Sequence, residues 1–424
     1  MIFATFSPMN HKKTFSYLLF LLSLWTWSQT GKPASLLAFT AKIDSIVSYG
    51  IQQQAYPGAQ VLLYKKGEIL LEKSYGFHTY DSLVPVNNNQ LYDLASVTKV
   101  MASTLAFMKL YELYNIPIDA RASDYIPLLK NSNKKNSTFR QILTHSAGWK
   151  PYLTHQNTVY NKKGRAKART LSYQKSKRYP LSLNGNLYVH RSYPKRIARR
   201  IKKTDLDPVS KYVYSGLWFF LLPEMVEKIS GMDFPTFLNQ HFYRPLELER
   251  IGFLPRQRFS LEEIVPTEKD SLFRKELVHG WVHDEAAALM GGVSGNAGLF
   301  ANARSLAPLL EMLLKKGTLN NKTLLKEETV TLFTSPAYPA SENRRGLGFD
   351  KPIFSDSGTA TYPATLASRE SYGHTGFTGT FIWVDPREEC FIIFLSNRVY
   401  PSRSQQALYD LNIRGNLLDV LIQY

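Results

Sequence analysis

Two strand-pair signals stand near opposite ends of this 424-residue chain, and they leave few architectures open. Near the start, residues 59–64 and 69–72 flank the turn Lys65-Lys66-Gly67-Glu68, which reads as a β-hairpin. Near the end, residues 380–384 and the apolar run 390–395 flank the turn Asp385-Pro386-Arg387-Glu388 in the same way. The two pairs are expected to join into one antiparallel sheet built from both ends of the chain, flanked by helices predicted at 39–54 and 404–422. The middle is mainly helical in pattern, so it would be a lobe inserted into the sheet domain. The expectation is an α+β fold over residues 38–424, with a sheet lobe at about 38–85 and 340–424 and a helical lobe at about 86–339. A composition 44% hydrophobic and 20% charged is enough to bury a sizeable core.

The chemistry begins at Ser96-Val97-Thr98-Lys99, which precedes an apolar stretch at 100–110 that reads as a helix. Positions i and i+3 share a helix face, so the lysine nitrogen can reach the serine oxygen. Such a base must be a neutral amine, while a free lysine with a pKa of about 10.4 is almost wholly protonated. Lowering it by roughly three units requires about 4 kcal/mol, which burial and dipoles can supply. A helix N-terminus beside Ser96 would favour alkoxide character in the nucleophile. Ser132, Ser172 and Ser192 also have lysine three residues on, but in polar or Pro-broken stretches with no apolar helix behind them.

A serine-lysine pair still needs a proton relay, an oxyanion hole and a substrate-aligning strand. Tyr214 is a candidate for the first. His374-Thr375-Gly376-Phe377 precedes the last strand pair and can supply the others: an edge at Thr375 and Gly376 for a substrate backbone, and the Phe377 amide beside that of Ser96 for an oxyanion. His374 is placed to orient or polarise a substrate. The glycine-rich stretch 291–298 lacks the P-loop lysine and the dinucleotide-binding spacing, and reads as tight backbone near the cleft. The His and Cys residues show no ligand spacing such as His-Glu-x-x-His, so neither a metal nor another cofactor is expected.

The order of these motifs resembles the serine beta-lactamase-related hydrolases, and within them the class C-like group that includes D-alanyl-D-alanine carboxypeptidases and esterases. The resemblance runs from about Ala41 to Tyr400 through Ser96-Val97-Thr98-Lys99, Leu143-Thr144-His145-Ser146-Ala147-Gly148, Tyr214-Ser215-Gly216 and His374-Thr375-Gly376. Gly280-Trp281-Val282-His283-Asp284 is similar to a stretch in envelope members of the group. It implies a beta-lactamase/transpeptidase-like fold, Ser96 as acylated nucleophile, Lys99 as its base and Tyr214 as relay. His374-Thr375-Gly376 would be the substrate-aligning strand, the amides of Ser96 and Phe377 the oxyanion hole, and 143–148 a shaping loop. Two departures stand out. Gly216 replaces the usual Asn or Asp, removing a partner worth on the order of 1 kcal/mol in amide recognition. His374 replaces the usual lysine, removing a fixed positive charge; the basic segment described next could restore it from outside the motif or could equally cover the cleft.

The start of the chain, His11-Lys12-Lys13, an apolar run at 15–27 and Ser28-Gln29-Thr30, reads as a signal peptide over residues 1–30. It predicts a cleaved, exported, periplasmic or envelope protein. The lone cysteine, Cys390, excludes an internal disulfide. The net charge of +18 is concentrated at 150–211, with seventeen Lys or Arg against two acids. With no nucleic-acid motif, this insertion reads as a solvated surface or a face attracted to anionic envelope polymers or lipid, not to nucleic acid. The whole points to an acyl-enzyme hydrolase of an ester or amide, such as a D-amino acid peptide. The alternative is a pocket-bearing binding protein of the envelope that has lost turnover.

Overall fold

The computed structural model describes residues 1, 3–4, 34–209 and 211–424. The apolar run expected to be a signal peptide lies outside the described residues. The chain divides into Met1–Ala41 and Lys42–Tyr424. The latter holds the sheet and all the residues of the site described below.

Both strand-pair signals form as hairpins. They are β1 (Gly58–Lys65) with β2 (Glu68–Gly76), and β4 (Phe381–Asp385) with β5 (Cys390–Ser396), and β3 (Tyr372–Thr375) adds an edge strand. The sheet order is β3-β4-β5-β1-β2, every pairing antiparallel. The ends of the chain meet at the centre, where Ala59 pairs with Ser396 and Lys65 with Cys390. Every residue of β1 and β5 is buried. Leu62, Tyr64, Phe391, Ile393 and Leu395 enter a core shared with the helical lobe. The alternate residues Val61, Leu63, Ile392 and Phe394 are buried too, so both faces of the sheet are covered.

Helices α1 (Ala34–Gln52), α2 (Leu105–Tyr114), α3 (Tyr193–Lys203), α4 (Leu222–Ser230), α5 (Ala303–Leu314) and α6 (Ile413–Gln423) carry most of the rest. α5 packs on β1, β4 and β5, and α6 packs on β5. The single helix expected at 404–422 is instead two pieces, Ala407–Asp410 and α6. Asn412 between them has φ of 47°, a left-handed conformation that asparagine tolerates, and it breaks the hydrogen-bond run.

The lobe at 86–339 is mainly helical but also holds short strands, among them Phe300–Ala301 between Tyr92–Asp93 and Ile251–Gly252. The basic insertion is more than a solvated surface. Its strands Leu171–Ser172, Tyr188–Val189 and Leu181–Ser182 form a small sheet. Leu171, Leu183, Val189, Ile197 and Ile201 join the main core, while most of its cations stay exposed.

Candidate active site

Ser96 does not sit on a regular α-helix. It lies in a 3-10 turn, Ala95–Val97, followed by a π-helical turn, Lys99–Thr104, before α2 begins. The expected proximity survives because side chains three apart eclipse in 3-10 geometry. Lys99 Nζ lies 2.7 Å from Ser96 Oγ, and the lysine is 3% exposed. The turn is strained at Ala95, whose φ is 46°. It is held by the buried Asp93, which accepts from the amides of Ala95 (2.8 Å) and His283 (2.6 Å). None of the other candidate serines meets its lysine. Ser132 donates to Leu129 O, Ser172 to Gln174 O, and Ser192 Oγ bonds His190 Nδ1.

Lys99 has a second anchor that the sequence did not reveal. Its side-chain nitrogen donates to the backbone oxygen of Asn296, in the glycine-rich stretch, at 3.0 Å. That stretch is stitched to the same segment by Ser103 Oγ donating to Gly295 O (2.7 Å) and Leu299 N donating to Thr98 Oγ1 (3.1 Å). A side chain at 295 would meet Phe219 O at 2.3 Å, so only glycine allows the approach. The stretch is therefore part of the site rather than merely near it.

Tyr214 and Phe219 cover Lys99, with ring centres 5.5 and 5.6 Å from Nζ. The 143–148 loop places Tyr214 through both of its chain neighbours. His145 O accepts from Val213 N (2.9 Å), His145 Nδ1 accepts from Ser215 N (3.1 Å), and the two rings lie 4.5 Å apart. Burial pushes the His145 imidazole well below its ordinary pKa, helped by Arg345, His374 and Lys99. At Gly216 an added Cβ would find Lys99 Cε as its nearest neighbour at 4.0 Å. There is room for a Cβ here, on the side of the lysine.

On the other wall, β3 forms the sheet edge. Gly373 exchanges two backbone hydrogen bonds with Asp350 (2.8 and 3.1 Å), so alternation puts the Thr375 amide on the same outer edge. Gly376 packs directly over the nucleophile turn, where an added Cβ would meet Leu94 O at 2.5 Å. Thr378 and Thr380 tie the strand down by donating to Asp93 O and Leu94 O. Phe377 follows at the surface, 47% exposed, stacked 5.8 Å from the His283 ring.

His374 Nδ1 lies 2.7 Å from Thr375 O, and a carbonyl can only accept, so Nδ1 carries the proton. Nε2 is left as acceptor, 3.5 Å from Tyr214 OH. Burial first, then Arg345 and Lys99, lower this imidazole to about 3. His374 is therefore neutral at neutral pH.

Arg345 brings a positive charge beside Tyr214 and His374. Arg345 is buried, with Nη1 3.3 Å from Asp350, Nη2 donating to Gly348 O at 3.1 Å, and the guanidinium 5.8 Å from the Tyr214 ring centre. Asp350 also holds Arg344 at 2.7 Å and accepts from Tyr362 OH. Two guanidiniums on one carboxylate leave a net positive charge beside Tyr214 and His374. No motif marked Arg345. Asn296 acts through its backbone oxygen, so its side chain carried no signal.

Contacts thus link Ser96 to Lys99, Lys99 to Tyr214 and Tyr214 to His374, while Gly376, between Thr375 and Phe377, packs on the turn that carries Ser96. The architecture is a beta-lactamase/transpeptidase-like fold. The chain belongs to the Beta-lactamase family, which matches residues 43–415. It is 33% identical over 373 residues to an Escherichia coli K12 protein named "Putative D-alanyl-D-alanine carboxypeptidase", covering 81% of this chain and 79% of that one. Among solved structures, a class C beta lactamase superposes with a TM-score of 0.64 at 16% identity, over 92% of this chain and 99% of the other. EstCE1, a hydrolase with promiscuous acyltransferase activity, gives 0.64 at 18% identity over 91% and 100%. The protein is a serine beta-lactamase-family hydrolase.

Proposed function

We propose that the protein is an exported hydrolase that works through an acyl-enzyme on Ser96. Ser96 Oγ attacks the substrate carbonyl as its proton passes to Lys99, and the amides of Ser96 and Phe377 hold the oxyanion. Tyr214 relays the proton to the leaving group, with His374 Nε2 as its hydrogen-bond acceptor. Water then attacks the acyl carbonyl, and Ser96 recovers its proton. The observation that carries this reading is the 2.7 Å contact between Ser96 and a buried lysine capped by Tyr214.

The substrate is an ester or an amide carrying a carboxylate, such as a D-amino acid peptide. The surplus charge of Arg344 and Arg345 favours the anion, and the name of the E. coli relative supports the peptide. The lack of a side chain at Gly216 favours the ester, as does the likeness to EstCE1. Export rests on the charged, apolar and polar order of residues 11–30.

The test is intact mass after incubation with a penicillin and, separately, a small activated ester, with Ser96→Ala as control. A Ser96-dependent adduct from the penicillin identifies a peptidase-like enzyme, and an adduct or turnover with the ester alone identifies an esterase. Absence of Ser96-dependent chemistry with either would overturn the reading in favour of a binding protein.

A further inference from the structure

The mechanism above makes no use of the basic insertion, whose cations are not evenly spread. Its small sheet gathers four arginines. Arg191 N donates to Arg178 O at 2.9 Å, and His190 N donates to Thr170 O at 2.9 Å, which brings Arg169, Arg178 and Arg191 to one end of the sheet. Arg196, one turn into α3, donates its amide to Ser192 O and completes the group. Burial first, and then all four guanidiniums, depress the basicity of His190. Among the described residues no carboxylate lies within ion-pair distance of any of the four. Of the seventeen basic residues in 150–211, only Lys150 has an acidic partner among the described residues, Asp207.

Four uncompensated arginines repel one another, and an anion with several oxygens relieves this by accepting paired N–H groups. The loop between Leu171–Ser172 and Leu181–Ser182 extends the surface with Lys175, Lys177 and Tyr173, the last 76% exposed. Cations beside an exposed tyrosine suit a membrane interface, where the ring sits at headgroup depth. We propose that this face, centred on Arg169, Arg178, Arg191 and Arg196, docks the enzyme on the phosphate headgroups of an anionic lipid surface. The same insertion borders the hydrolase lobe. A side chain at Gly185 would meet the Trp281 ring at 3.4 Å, and one at Gly291 would meet Leu181 at 3.1 Å. Docking therefore holds that lobe at the bilayer.

The test is co-sedimentation of the purified mature chain with vesicles of phosphatidylcholine alone or with about one third phosphatidylglycerol. The Arg169→Ala/Arg178→Ala/Arg191→Ala/Arg196→Ala variant is compared with Lys66→Ala/Lys130→Ala/Lys135→Ala/Lys326→Ala, which removes equal charge from the rest of the surface. The expected result is binding to phosphatidylglycerol vesicles only, weakened at least about thirtyfold by the arginine variant and less than about threefold by the lysine variant. Turnover of a soluble ester, unchanged in both, reports that the fold is intact. Equal losses in the two variants, or no binding by the parent chain, would overturn the proposal. So would a loss confined to binding of a single-stranded oligonucleotide, which would make the face a nucleic-acid surface instead.

Discussion

Restoring the missing side chain at position 216 tests the site from the inside. In Gly216→Asn the new Cβ meets nothing closer than Lys99 Cε at 4.0 Å, ordinary van der Waals contact, and position 216 is not in the left-handed region. The Cβ therefore enters without strain, and the amide beyond it is expected to meet the lysine and the substrate amide. One net hydrogen bond contributes about 0.5–1.5 kcal/mol, and one to a charged group about 1.5–3 kcal/mol. A central value of about 1.4 kcal/mol corresponds to a factor of about ten. Loss of glycine's freedom in the unfolded chain adds about 0.4–1 kcal/mol of stability. Acylation rate constants with a penicillin and an activated ester, read by intact mass against time, should show the penicillin gaining about tenfold relative to the ester. The melting temperature should hold or rise slightly. An unchanged ratio in a variant that melts like the parent would refute the placement of residue 216 over the substrate amide. A drop in melting temperature of more than about 5 °C would refute the claim that a side chain fits at position 216.

Three other outcomes are expected. Tyr214→Phe keeps the ring against His145 but removes the relay, so kcat for ester turnover should fall about 10²- to 10⁴-fold; a loss under threefold rejects that role. His374 has a folded pKa of about 3 against 6.5 when free, so between those values the unfolded chain binds a proton that the folded chain refuses. Its contribution is complete above pH 6.5 and is lost as pH falls toward 3, at up to about 1.4 kcal/mol per pH unit. Urea midpoints at pH 7, 5.5 and 4.5 should therefore fall less steeply in His374→Asn, and parallel profiles would contradict the assignment. Glu268 is buried between His283 (2.7 Å) and Arg403 (2.7 Å); burial raises its pKa, but these hydrogen bonds outweigh that and hold it at about 2. Glu268→Gln leaves Arg403 with Glu285 as its one carboxylate partner (2.8 Å) and should cost about 2 kcal/mol in urea unfolding, with a change under about 0.5 kcal/mol counting against it.

What the sequence determined by itself was whatever depends on near neighbours or on strong burial patterns. Ser96 and Lys99 are three residues apart, so any tight helical turn brings them together, and the chemistry was legible although the turn proved to be 3-10 and π rather than α. The runs 59–64 and 390–395, each beside a turn signal, read as strands, and they pair at the centre of the sheet. The tertiary structure alone decided the rest. Asn296 contributes a backbone oxygen 197 positions from Lys99, an interaction blind to side-chain identity. Arg345 reaches Tyr214 because the chain before β3 folds back along the sheet edge at Asp350, and a buried arginine looks like a surface one until its neighbours are known. The gathering of Arg169, Arg178, Arg191 and Arg196 likewise follows from strand pairing within the insertion, since net charge records how many cations there are but not where they point. Local geometry is encoded in adjacent residues, whereas the field inside a cleft is summed over segments that only the fold brings together.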